Sequence, residues 1–221
     1  MSKLLTAALL LAPCLASAQS FSVPEGCEGV LTVQQRGCVM VNVWQCDIDP
    51  AGDKWIALIG EGGVFSVQHV DAEFQWLEAY KPSGTETLEQ PAPNPASLTE
   101  LFANGIDTWD FVINKPDTAE RNVGYDALSG LEVIIDDEPL LQTEFEGKTL
   151  AMDGTQIDEG AGRQYVSEKH RLFFFGESWD PATPDTVIDM SPVEFIYPDE
   201  AGFFAQRPKF ECGVIESQFS E

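Results

Sequence analysis

Apolar and polar residues alternate in short runs along most of the chain, separated by clusters of Gly, Asp, Asn and Ser. Period-two alternation puts every second side chain on one face of an extended strand, so the pattern predicts antiparallel strands rather than helices. Candidate strands cover 30–35, 38–46, 55–59, 64–70, 73–80, 108–113, 122–125 and 132–135. They continue through 140–145, 149–152, 163–166, 171–175, 187–190 and 193–197. Turn chemistry punctuates them at Gly60-Glu61-Gly62-Gly63, Ser129-Gly130, Asp136-Asp137, Asp153-Gly154 and Gly160-Ala161-Gly162. One helix of about two turns is predicted, because Ser97-Leu98-Thr99-Glu100 fits a capping box and Asn104-Gly105 supplies a stop. The Pro-rich stretch 90–95 is short and the strand rhythm resumes after it, so it reads as a connection inside one domain. The expected fold is all-β and mainly antiparallel: a curled sheet, half-barrel or barrel of about ten strands with one short helix.

The first residues break the rhythm. Lys3 precedes an apolar run from Leu4 to Leu15, and Ala16-Ser17-Ala18 follows. This is the layout of a secretory signal peptide over residues 1–18, with cleavage near Ala18 and a single domain over 19–221. The run is shorter than the roughly 20 residues that span a bilayer, so no stable membrane insertion is expected. Pro13 does not suit the place before a lipidated cysteine, so Cys14 leaves with the signal. The expected location is the periplasm or the medium.

Export gives the remaining cysteines a meaning. Cys27, Cys38, Cys46 and Cys212 are an even set, and an oxidising compartment favours two disulfides. They contain no C-x-x-C pair and the two histidines are remote, which disfavours zinc. Cys38 and Cys46 end one β-branched run; at about 3.3 Å per residue they lie roughly 26 Å apart, whereas a disulfide needs about 5–6 Å. If Arg36-Gly37 turns the chain in two residues, position i faces 73 − i and Cys27 meets Cys46. The favoured pairing is then Cys27 with Cys46 and Cys38 with Cys212. Arg36 is poor at the positive φ of such a turn, and a three-residue loop with a bulge at Gly37 would shift the register by one.

Composition narrows the partners. Only 12 Lys plus Arg stand against 37 Asp plus Glu, a net charge of −25. Binding to a phosphate backbone depends on cations, so no nucleic-acid partner is expected, and anionic membrane surfaces repel the chain. The 43% of hydrophobic residues still suffices for a core. Nothing in the pattern sets an oligomeric state.

Candidate chemistry is sparse. Asp47, Asp49 and Asp53 around Gly52 resemble a calcium loop, but the twelfth position is Leu58 instead of Glu and the flanks read as strands. The preferred reading is an acidic turn and no metal. His69 and His170 are the only imidazoles; neither sits in a G-x-S-x-G or H-E-x-x-H motif, and both read as satisfied surface residues. No cofactor motif and no catalytic residue stand out. Glu73, Glu144, Glu146 and Glu194 lie on or beside aromatic strands, which leaves a carboxylate-based hydrolase acting on carbohydrate as an alternative. A ligand-free acidic structural or interaction protein is a second one.

The aromatic residues carry the main expectation. Phe74 and Trp76 alternate on one run, Trp109 and Phe111 on another, and Trp179 follows Phe173-Phe174-Phe175. Such rings mark the buried face of a sheet, and a curled sheet can leave part of that face open as an apolar pocket. Phe74, Trp76, Trp109, Phe111 and Trp179 are therefore the candidate binding residues. The expected function is that of an exported, non-enzymatic β protein binding a small apolar ligand or envelope component.

Overall fold

Thirteen antiparallel strands in a single sheet account for the alternating pattern. The computed structural model describes residues 22–213; the signal-peptide reading of residues 1–18, Cys14 included, lies outside them. In chain order the strands are β1 (Cys27–Gln35), β2 (Val39–Cys46), β3 (Lys54–Gly60), β4 (Gly63–Val70), β5 (Trp76–Lys81) and β6 (Gly84–Leu88). The helix α1 (Leu98–Asn104) comes next, followed by β7 (Ile106–Asn114), β8 (Ala119–Ile135), β9 (Glu138–Ala151), β10 (Gln156–Ser167) and β11 (Leu172–Trp179). Two short strands, β12 (Ile188–Asp189) and β13 (Pro192–Ile196), complete the set. The strands form a meander from β1 to β12, with β13 added beside β1.

The sheet is curled and not closed into a barrel. Its two ends are β12 and β13, which are separated in the chain only by Met190 and Ser191. Met190 donates its N–H to Gly176 O on β11 at 2.9 Å, and Arg36 N–H donates to Ser191 O at 3.0 Å beside β1. One short segment is thereby bonded to both ends of the curl.

The cysteines pair as Cys27–Cys46 and Cys38–Cys212, an arrangement compatible with an oxidising extracellular or periplasmic location. The register beneath the first bridge differs from the two-residue turn. Arg36, Gly37 and Cys38 form a three-residue loop in which Gly37 and Cys38 take the positive φ that Arg36 avoids. Gln35 consequently faces Val39, one step out of the expected register, and a bulge between Gly29 and Leu31 restores Cys27 opposite Cys46.

Three other local readings change. Ser129-Gly130 is a bulge inside β8, which pairs with β9 on both sides of it, so each of these long strands replaces two predicted short ones. Gly160-Ala161-Gly162 lies within β10. The strand predicted from residue 73 begins at Trp76, because the Asp71 carboxylate accepts the N–H groups of Glu73 and Gln75, both at 2.9 Å. That turn holds Phe74 at φ 66, a conformation which costs a large side chain on the order of 1 kcal/mol. The helix follows expectation: Ser97 Oγ accepts Glu100 N–H and Gly105 ends it in the left-handed region, a cap worth about 1 kcal/mol.

Both faces of β1–β3 are covered. Leu31, Val33, Val41, Val43, Ile56 and Leu58 point into the curl. On the outer face Met40, Trp44, Ala57 and Ile59 pack beneath the C-terminal segment that carries Phe204 and Ala205. Thr32, Gln34 and Asn42 share that outer face and are fully buried. They serve the backbone of the segment: Phe204 N–H donates to Thr32 Oγ1 at 2.8 Å, Lys209 N–H to Gln34 Oε1 at 2.9 Å, and Asn42 Nδ2 to Ala205 O at 3.3 Å. Gly29 leaves room for the rings, since a β-carbon there would lie 2.8 Å from Phe204 and 2.9 Å from Phe203.

The Cys38–Cys212 bridge, 174 residues apart in sequence, fastens this cover. Cys212→Ser is expected to lower stability by about 2–5 kcal/mol in urea unfolding. Limited proteolysis of that variant should cleave first within residues 198–213, leaving the body of the sheet intact.

Candidate functional site

Cross-strand partners in an antiparallel sheet share a face, so the register of β7–β10 determines what looks into the curl. Three rows cross these strands. The first is Asp107, Asp126, Phe145 and Gly162; the second is Trp109, Gly124, Gly147 and Gly160; the third is Phe111, Asn122, Thr149 and Asp158. The second row explains the glycines. The Trp109 indole lies down across the first two, where a β-carbon would come within 2.6 Å of the ring at Gly124 and 2.9 Å at Gly147. Gly160, the third, faces open space with nothing within 4 Å. In the first row Phe145 lies over Gly162 in the same manner.

Flattened rings on one wall and β-branched or Leu side chains on the other leave a cavity of about 390 Å³. Its far wall is Val41, Val43, Ile56 and Leu58, and Leu98 and Leu101 of α1 close one end. Near the β5–β6 and β7–β8 turns a second recess of about 180 Å³ shares Gln68, Trp76, Asn122 and Thr149 with it. Lys81 with Glu86, at 2.7 Å, and Lys115 with Glu120, at 2.5 Å, rim that recess. At about 24 cal/mol per Å³ a dry void of the main cavity's size would cost on the order of 9 kcal/mol, comparable with the stability of a whole domain. The space is therefore one that water or a ligand fills.

Four of the five candidate binding residues meet here. Phe74, Trp76, Trp109 and Phe111 all line the cavity; Trp109 and Trp76 stand 5.6 and 6.0 Å from Phe111 by ring centroid. Phe74 also reaches Phe173 at 5.3 Å beneath the helix. Trp179 does not belong. It pairs in register with Ala161, on the outer face, and lies under the Arg163 guanidinium at 5.6 Å.

Apart from Glu73, the polar groups of the cavity were not singled out by sequence reasoning. Trp109 Nε1 donates to Asp126 Oδ2 at 3.0 Å, and Ser97 N–H donates to Asp107 Oδ2 at 2.8 Å. Asp107 Oδ1 is buried without a partner, as are both amide atoms of Gln35, which also line the cavity. Burial pushes the Asp126 carboxyl up to about 6, against the Trp109 hydrogen bond and with help from the charge of Asp107. Burial likewise raises Asp107, opposed by the N–H groups of Ser97 and Thr108 and reinforced by Glu100 and Glu73. The signal that would have found them is period two: Asp107, Trp109 and Phe111 occupy one face of one strand, where a lone carboxylate beside two rings is out of place.

Other candidates are dispersed. Asp49 accepts the Trp55 indole N–H at 2.7 Å, Asp53 lies 3.0 Å from His69 Nε2, and Asp47 is exposed. Among the described residues no group of three or more His, Cys, Asp or Glu side chains is placed to hold a metal ion. Glu73 lines the cavity but is held by Arg171 at 2.7 Å and by Thr99. Glu144 and Glu146 flank the inward Phe145 and so point outward, and Glu194 pairs with Lys209 at 2.7 Å.

The histidines are not surface residues. His69 stacks on Trp55 at 4.5 Å on the outer face. His170 is half-buried, 3.1 Å from Tyr197 Oη and 3.3 Å from Glu138 Oε1. Glu138 also accepts Lys169 Nζ at 2.9 Å and the Tyr197 hydroxyl. Burial lowers His170 despite Glu138. In Glu138 the penalty of burial is outweighed by the bonds from Tyr197 and Lys169, which hold it below the usual carboxylate range. This network ties the β8–β9 and β10–β11 turns to the start of the C-terminal cover and does not line the cavity.

The chain matches no protein-family model, no curated protein and no solved structure, so its own geometry carries the functional reading. No helix among the described residues is long and apolar enough to cross a membrane.

The raised Asp126 value has a definite sign. Above the ordinary Asp value of about 4 the unfolded chain ionises freely while the folded chain resists, so a penalty accumulates between about pH 4 and 6 and stays constant above. The full shift corresponds to about 3 kcal/mol, which water in the cavity reduces to about 1–2 kcal/mol. Asp126→Asn is thus expected to be more stable than the native chain by that amount at pH 8 and equal to it below pH 4. Urea midpoints measured across this range check it.

Proposed function

We propose that this protein is an exported, non-enzymatic binding protein that holds a small, mainly apolar ligand or envelope component inside the curled sheet. The observation that carries this reading is the open floor beside Trp109. A sheet that needed only a core would place a large side chain at Gly160, where no described residue beyond its chain neighbours comes within 4 Å of an added β-carbon. The volume of about 390 Å³ falls within the range of small-molecule sites, and its aromatic lining with a few convergent polar groups matches their chemistry. The paired charges at the neighbouring recess suit a wet entrance to an apolar interior.

Native mass spectrometry and solvent extraction of protein taken from its own cell envelope test the proposal. A bound small molecule is expected; repeated recovery of empty protein would count against it. Gly160→Leu supplies the matching variant, because Gly160 is not in the positive-φ region and its added side chain enters open space. That variant is expected to lose the ligand while retaining or gaining up to about 1 kcal/mol of stability. Loss of the ligand together with unfolding would mean that the space is structural.

A further inference from the structure

The cavity has a polar end. Where α1 closes it, Asp107 and Asp126 stand side by side as cross-strand partners on the inward face, at places where alternation calls for apolar residues. Asp107 is 5% exposed, and one of its oxygens has no hydrogen-bond partner. Gln35, fully buried in the opposite wall, offers an amide that is also without partners. Lys148 borders the cavity between the inward Gly147 and Thr149, but its side chain alternates to the outer face and lies 3.4 Å from Glu159. Among the described residues the carboxylate pair therefore has no cationic partner, while adjacent charges removed from water are costly unless compensated. Ring faces add to the bias, since indole and phenyl faces attract cations, and Trp109, Trp76 and Phe111 form one ring cluster in the same space.

Resting on the binding role proposed above, we infer that the ligand is a cationic amphiphile, an amine whose ammonium group donates to Asp107 and Asp126 while its apolar body lies along Trp109 and over Gly160. The Trp109 indole N–H fixes one Asp126 oxygen and leaves the other for the incoming donor. A fatty acid or other anionic lipid would place like charge against the pair and is disfavoured. Three partners of one chain length separate these possibilities: decylamine, decanol and decanoate, each titrated into the mature protein below its micelle concentration at pH 7.5.

Decylamine is expected to bind about tenfold or more tightly than the other two, the gain of a charge-assisted hydrogen bond. In the Asp107→Asn, Asp126→Asn double variant the ratio of amine to alcohol affinity is expected to fall to about one. The single variant Asp126→Asn, with circular dichroism to verify its fold, is expected to lower the ratio part of the way. Decanol or decanoate binding as tightly as the amine, or a preference that survives both substitutions, overturns the inference and leaves the apolar binding role standing. Failure of all three to bind, with Gly160→Leu indistinguishable from the native chain, overturns both.

Discussion

A meandering antiparallel sheet ends in two unpaired edges, and the rest of this molecule depends on how they are joined. The segment 188–196 bonds to β11 through β12 and to β1 through β13, with only Met190 and Ser191 between. Because so few residues reach both edges, the sheet has to curl until they come together. That curl creates an inward face which no other layer packs against, so the side chains of opposite walls must fill it or leave it open. It also brings the two edges together, with β12 covering part of β11 and β13 part of β1, so that short strands stand at the ends of the sheet.

The two walls answer differently. On β1–β3 the inward residues other than Gln35 are chiefly Val, Ile and Leu, and these form the packed core with Phe174 and Phe195. On β7–β10 the inward rows combine rings with glycines, and the rings lie against the sheet instead of projecting across the curl. Size alternation of this kind keeps a surface apolar without filling the volume above it. The helix then seals one end through Leu98 and Leu101, and its capping residue delivers the Ser97 N–H to Asp107, so closure and the polar end of the cavity arise from the same turn.

Much of the architecture was legible from alternation, because period two is read one strand at a time. The helix, its cap and its stop were legible for the same local reason. Pairing across strands was not. Gly160 and Gly162 look like turn residues until the register sets them beside Gly147 and Phe145, and Ser129-Gly130 looks like a turn until β9 is seen to pair on either side of it. Phe74, Trp76, Trp109 and Phe111 were recognisable as alternating rings on one face, with Trp76 at its exposed margin, whereas Trp179 went astray because the register shift between β10 and β11 sets which way it points. Nothing local in the sequence marks Thr32, Gln34 and Asn42 as buried; the distant segment that takes their hydrogen bonds is what covers them.

The cover over the outer face has a bearing on biogenesis. Cys27 and Cys46 are neighbours in one hairpin and can join as soon as that hairpin forms under oxidising conditions. Cys38 must wait for Cys212, the last of the four to arrive, and until then Met40, Trp44 and Ile59 remain uncovered on a nearly finished sheet. A folding chain therefore passes through a stage with a bare apolar outer face, which ends only when the segment reaching Cys212 settles over it.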